Sequence, residues 1–112
     1  MIRGAVYRVD LGDAKRGHEQ RGRRYGLVLS PTSDWTVATI VPTSASARPM
    51  RFRPALDLLG QPVVYLIDQI RSIDTCFIHG DPVHYLRHQE LLEIETAIVR
   101  YLGLDTWAGL SR

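Results

Sequence analysis

Tyr25-Gly26-Leu27-Val28-Leu29-Ser30-Pro31, followed by Trp35-Thr36-Val37-Ala38-Thr39-Ile40-Val41-Pro42, is the stretch that decides the fold. Both segments are rich in β-branched, aromatic and other apolar residues, and each is stopped by a proline, which supplies no ladder donor. Thr32-Ser33-Asp34 between them is turn chemistry. Together they predict two strands joined by a turn. Working outward, Ala5-Val6-Tyr7-Arg8-Val9-Asp10-Leu11 alternates loosely and predicts a first strand. Residues 12–22 are polar and bracketed by glycines, and predict a long loop. Downstream, residues 51–53 predict a short edge strand closed by Pro54, and Gly60-Gln61-Pro62 a turn. Val63-Val64-Tyr65-Leu66-Ile67 predicts a buried strand, which residues 68–72 continue or cap. Cys76-Phe77-Ile78-His79-Gly80 predicts a last short strand before Pro82.

The period then changes. Leu91, Ile94, Ile98 and Tyr101/Leu102 recur at helical spacing, with Glu90, Glu93, Glu95 and Arg100 between them. Gly103 stands where a helix C-cap belongs. A helix is expected from about Tyr85 or His88 to Leu102. Many short strands followed by one amphipathic helix predict a mainly β (α+β) domain, a small curved sheet or barrel capped by that helix. One domain over residues 1–104 is expected, with a C-terminal tail at 105–112.

The chain has 112 residues, of which 45% are hydrophobic and 23% charged, a balance that excludes a disordered polyelectrolyte. Cys76 is the single cysteine, which excludes an internal disulfide and leaves it as a buried filler. Met1-Ile2-Arg3-Gly4 leads into strand-like sequence without an apolar leader segment, and the apolar run at 63–67 is too short to span a bilayer. A cytoplasmic protein with no membrane partner is therefore expected. The net charge is only +2, but residues 1–53 carry ten basic and four acidic side chains, against four and eight in residues 54–112. Of the fourteen basic residues only Lys15 is not arginine. Arginine grips phosphate through a planar fork, so a basic, arginine-rich half points to a polyanion.

Three segments carry candidate chemistry. In the loop Lys15-Arg16-Gly17-His18-Glu19-Gln20-Arg21-Gly22-Arg23-Arg24, the close arginines repel one another unless an anion neutralises them. A solvated charge run is the alternative, although Arg24 sits at the mouth of a strand, where its position is fixed. Val41-Pro42-Thr43-Ser44-Ala45-Ser46 brings three hydroxyls to the end of a strand, either for a ligand or for turn capping. Asp68-Gln69-Ile70-Arg71-Ser72-Ile73-Asp74 is either catalytic or an ion pair of Arg71 with Asp68 or Asp74. His84 and His88 are spaced as zinc could use them, but no third ligand is placed, and neither a metal nor a cofactor is expected.

Read in order, Arg3-Gly4 with Tyr7 and Val9-Asp10-Leu11, then Gly17-His18-Glu19-Gln20 with Gly22 and Arg24, then Leu27-Val28-Leu29-Ser30-Pro31, resemble the MazF/PemK family of toxin endoribonucleases. Val41-Pro42-Thr43-Ser44 and Asp68-Gln69-Ile70-Arg71-Ser72-Ile73-Asp74 are similar to two further blocks of that family, over residues 2–104 in all. The resemblance implies an SH3-like barrel of curved antiparallel strands with a C-terminal helix, PemK/CcdB-like. It implies a homodimer that cleaves single-stranded RNA and a cognate acidic antitoxin that blocks the RNA groove. It also implies attack of a ribose 2′-OH on the adjacent phosphorus without a metal, leaving a 2′,3′-cyclic phosphate and a 5′-OH. By that resemblance Arg24 is the main catalytic residue and Thr43 holds the phosphate. His18 or Asp68 is the base, and Gln20, Arg21, Arg23, Ser44, Gln69 and Arg71 contact RNA.

The pattern is broken in places. Tyr25 stands where the family usually has proline, and a tyrosine either stacks on a base or packs. The residue usually found between Pro42 and Thr43 is missing, so Thr43 or Ser44 fills the hydroxyl position. A reading from a different class, a CcdB-like toxin that poisons DNA gyrase without being an enzyme, shares the expected fold.

Overall fold

The computed structural model describes residues 2–12, 17, 21–30 and 36–106. Its strands are β1 (Ala5–Asp10), β2 (Arg23–Val28), β3 (Val37–Ser44), β4 (Ala55–Leu58), β5 (Gln61–Tyr65), β6 (Arg71–Asp74) and β7 (Ile78–Tyr85). They pair antiparallel in the order β4-β5-β3-β2-β1-β7, with β6 also on β3. The sheet curls into a half-barrel, and the helix α1 (His88–Tyr101) follows it. The expected barrel-like fold with a C-terminal helix is what forms.

Strand β3 makes the curl possible by dividing one of its edges between two partners. Its first half, Val37 to Ile40, pairs with β6, and Thr43 and Ser44 pair with β5. Pro42 sits at the changeover, so the strand runs through the proline expected to end it. The N–H and C=O of a strand residue point to the same edge. The Pro42 carbonyl accepts a hydrogen bond from the Leu66 N–H at 2.9 Å. The missing proline donor therefore falls on the edge where the partner changes. Strand β7 likewise continues past Pro82. Its register on β1 shifts between the pairs Val6–His84 and Arg8–His79, and that irregularity takes the proline out of the regular ladder.

Two other expectations are corrected. Residues 51–53 form a turn, with Met50 and Arg53 exchanging backbone hydrogen bonds of 3.3 and 3.0 Å. The edge strand is β4, beyond Pro54, and it turns into β5 through Leu59 (φ 54°) and Gly60 (φ 83°), a two-residue hairpin matched to strand twist. Cys76 is exposed rather than a buried filler. It lies in a single 3-10 turn, Thr75–Phe77, whose first free N–H groups are capped by Asp74 accepting from the Cys76 N–H at 2.9 Å.

The central strands are buried on both faces, which is why β1 alternates only loosely. Ala5, Tyr7 and Val9 face one cluster with Val28, Ala38, Ile40, Ile73 and Ile78. Val6 faces the other, with Leu27, Val41, Tyr65 and Ile67, which α1 closes with Ile94, Ala97 and Ile98. The helix begins where Glu90 accepts the Arg87 N–H at 2.9 Å. It ends where Gly103 adopts φ 73°, close to both expected boundaries. Gly26 has no side chain because a Cβ would meet the Val9 methyls at 3.2 and 3.3 Å, so β1 and β2 pack side chain against backbone there.

Candidate active site

The loop after β1 is closed at its neck by two backbone hydrogen bonds. The Leu11 N–H donates to the Gly22 carbonyl at 2.9 Å, and the Gly22 N–H donates to the Gly12 carbonyl at 2.6 Å. Gly12 and Gly22 have φ of 79° and 80°, a region that side chains disfavour. The neck delivers Arg23 and Arg24 directly into the ladder, opposite Asp10 and Val9. Arg24 is thus held at its backbone by a strand. Its guanidinium is also oriented, because Nε donates to the Arg21 carbonyl at 2.9 Å.

Thr43 reaches the same region from β3. It is only 4% exposed, and its hydroxyl donates to the Tyr25 carbonyl at 2.9 Å. A groove of about 430 Å³ lies at this end of the sheet, lined by Arg23, Arg24, Tyr25 and Thr43 and walled by Leu58 and Leu59 of the β4–β5 hairpin. Arg24 and Thr43, expected to act together, are brought together. Ser44 is placed otherwise, with its hydroxyl accepting from the Ala47 N–H at 3.1 Å and the Ser46 N–H at 3.3 Å. That arrangement is the turn-capping reading of the segment.

Asp68, Gln69 and Arg71 lie in the segment that runs from β5 into β6 and do not line this groove. Asp68 accepts two hydrogen bonds from one guanidinium, Arg53 Nε at 2.8 Å and Nη2 at 2.7 Å, with both side chains about a quarter exposed. The partner is fifteen residues upstream, where a local reading had looked to Arg71. The Arg53 hydrogen bonds hold the Asp68 carboxyl below the usual carboxylate range, against a smaller opposing effect of burial. His18 and Gln20 lie outside the described residues. Arg21 and Arg23 are exposed beside Arg24. Among the described residues, no cluster of three His, Cys, Asp or Glu side chains is placed to hold a metal, and no helix is long and apolar enough to cross a membrane.

The profile of the PemK-like, MazF-like toxins of type II toxin–antitoxin systems matches residues 2–102. The chain belongs to this family. A candidate toxin of Mycobacterium tuberculosis strain H37Rv is 59% identical to it over 105 residues, covering 93% of this chain and 99% of that protein. MazF of Deinococcus radiodurans shares the fold at a TM-score of 0.80 and 27% identity, over 92% of this chain and 96% of that one. The same MazF is also solved in a MazE–MazF complex, where the TM-score is 0.75, the identity 27% and the coverage 93% and 96%. An endoribonuclease in complex with its cognate antitoxin, from a mycobacterial species, has the same fold at a TM-score of 0.72 and 23% identity, over 93% and 96% of the two chains.

Within this PemK/MazF toxin fold, sequence reasoning missed two neighbours of the site and the partner of Asp68. Arg53 is expected in a short edge strand, and nothing local marks it as the partner of Asp68. Arg8 and His79 are cross-strand partners on β1 and β7, and they flank Arg24 and Tyr25 on the far side of the Thr43 groove. Only strand pairing reveals them.

Proposed function

We propose that this chain is an endoribonuclease toxin that cleaves single-stranded RNA without a metal. The observation that carries the reading is the single groove in which Arg24 and Thr43 meet. The 2′-OH oxygen attacks the adjacent phosphorus and gives its proton to a base. The bond from phosphorus to the 5′ oxygen breaks, and that oxygen takes a proton from water to leave as a 5′-OH. The other product is a 2′,3′-cyclic phosphate. The phosphorane formed on the way carries extra negative charge, which a pre-oriented guanidinium stabilises without reorganising. Arg24 is too weak an acid to donate the proton itself and serves as the clamp. Thr43 holds a non-bridging oxygen by turning its hydroxyl from the Tyr25 carbonyl to the phosphate. Arg21 and Arg23, exposed beside Arg24, contact the strand there, and the family resemblance adds Gln20, Gln69 and Arg71 as RNA contacts, the last two outside this groove.

The base is assigned to His18. Asp68 has both oxygens on Arg53 and a lowered pKa, which makes it a weak proton acceptor. Imidazole ordinarily titrates near pH ~6.5 and suits the task at neutral pH. His18→Ala should lower kcat by about 10²-fold or more, the usual share of a general base, with end-mapped cleavage as the readout. If Asp68 were the base, Asp68→Asn would cause that loss instead, and its lowered pKa would keep the native rate flat between pH 5 and 7. The protein acts as a homodimer in the cytoplasm, and an acidic antitoxin neutralises it, in keeping with the MazE–MazF complexes of the Deinococcus relative.

The direct test is incubation with a long single-stranded RNA in excess EDTA, with the new ends mapped. Cyclic phosphate and 5′-OH ends are expected. Intact RNA at stoichiometric protein would overturn the reading.

A further inference from the structure

Arg24 and Tyr25 border two grooves, not one. On the side away from Thr43 lies a second groove of about 620 Å³, lined by Arg8, Asp10, Arg23, Arg24, Tyr25 and His79 with Val9 at its floor. The start of β2 is the saddle between the two. A strand of RNA whose scissile phosphate sits at Arg24 can pass from one groove into the other across that saddle, because the two share Arg23, Arg24 and Tyr25. Resting on the cleavage reading above, we infer that the second groove binds the nucleobase next to the scissile phosphate, and that Arg8, Tyr25 and His79 set which base is accepted.

The chemistry of the lining fits a base better than a second phosphate alone. Tyr25 presents a half-buried ring whose body packs on the core while its neighbours Arg23 and Arg24 carry charge. The Arg8 guanidinium lies over that ring, 6.0 Å from its centroid. Proteins hold the bases of single strands by stacking on such rings and guanidinium planes. A base intercalated between the two needs roughly twice the ~3.4 Å spacing of stacked bases. The observed 6.0 Å falls slightly short, and Arg8, on an exposed and long side chain, can move the remaining fraction of an ångström. His79 is exposed on β7 directly across from Arg8, where its ring nitrogens can donate to and accept from a base edge. Asp10 adds a carboxylate, one of whose oxygens already accepts from the Gly12 N–H at 2.9 Å. The Tyr25 carbonyl, not its ring, is the partner of Thr43. A change of ring therefore leaves the Thr43 hydrogen bond in place.

The test compares cleavage kinetics of Tyr25→Leu, Tyr25→Phe and His79→Ala on one RNA containing a mapped cut site, with melting temperatures measured in parallel. Leucine keeps the packing of the ring and loses its stacking. Tyr25→Leu should raise KM about tenfold or more with kcat changed less than twofold, and Tyr25→Phe should restore the native KM. His79→Ala should broaden the base tolerated at one position beside the cut. An abasic residue at that position should erase the difference between native protein and Tyr25→Leu. If both Tyr25→Leu and His79→Ala keep the native KM and the native base preference, the subsite is wrong while the Arg24 reading stands. If the native protein cuts no RNA, the cleavage reading fails and the subsite falls with it.

Discussion

Arg24→Ala should lower RNA cleavage by about 10²- to 10³-fold, the range found when one preorganised donor to a developing oxyanion is removed. The loss should appear in kcat more than in KM, because the guanidinium meets most of its charge only when the phosphorane forms. The variant should fold normally. The backbone of Arg24 remains in the β1–β2 ladder, and the side chain forfeits one partly exposed hydrogen bond to the Arg21 carbonyl. Arg24→Lys keeps the charge but loses the planar fork, so it should recover only part of the rate. End-mapped cleavage in EDTA, with melting curves as the folding control, measures both variants against the native protein. A variant that cuts at the native rate would remove Arg24 from the site. Toxicity that survives Arg24→Ala, together with inhibition of gyrase, would favour the CcdB-like alternative.

Ile94→Ala should cost about 2–5 kcal/mol of stability, the usual range for emptying a well-packed aliphatic site. Ile94 is completely buried and is the most buried of the α1 residues that pack on Val41, Tyr65 and the rest of the second core cluster. For a domain of this size that loss lowers the melting temperature by roughly 10 °C or more. Val99, on the same helix but 38% exposed, is the control, and Val99→Ala should change stability by less than ~0.5 kcal/mol. Thermal unfolding of the two variants reads the difference. Equal melting temperatures would show that α1 is not what closes this core. At temperatures well below the transition Ile94→Ala should still cut RNA, since no atom of Ile94 lines either groove.

Much of the fold was legible because its signals are local. Strands β1, β2 and β3 sit where their apolar residues concentrate, and α1 follows its 3.6-residue period to within a residue or so at either end. Three prolines marked where local reading runs out. Pro42 was expected to end β3 and Pro82 to end β7, while Pro54 was expected to close a strand and instead precedes one. A proline only withdraws one donor, and whether that matters depends on which edge the donor would face. At Pro42 that edge is where β6 gives way to β5. That fact exists only once the sheet is assembled. Cys76 misled in a similar way, since its small apolar side chain says nothing of the turn that exposes it.

By itself the sequence determined the class of fold, the placement of Arg24 at the start of a strand and the arginine-rich half of the chain. These follow from periodicity, from glycines that free the loop neck, and from side-chain type. Tertiary structure alone decided which hydroxyl joins Arg24. Thr43 faces the groove and Ser44 the turn because adjacent strand residues point to opposite faces, a choice set by the register of β3 on β2. It decided as well that Asp68 is bound by Arg53, and that Arg8 and His79 stand beside Tyr25. Pairings between residues distant in sequence depend on strand order and register, and no short stretch of sequence records either.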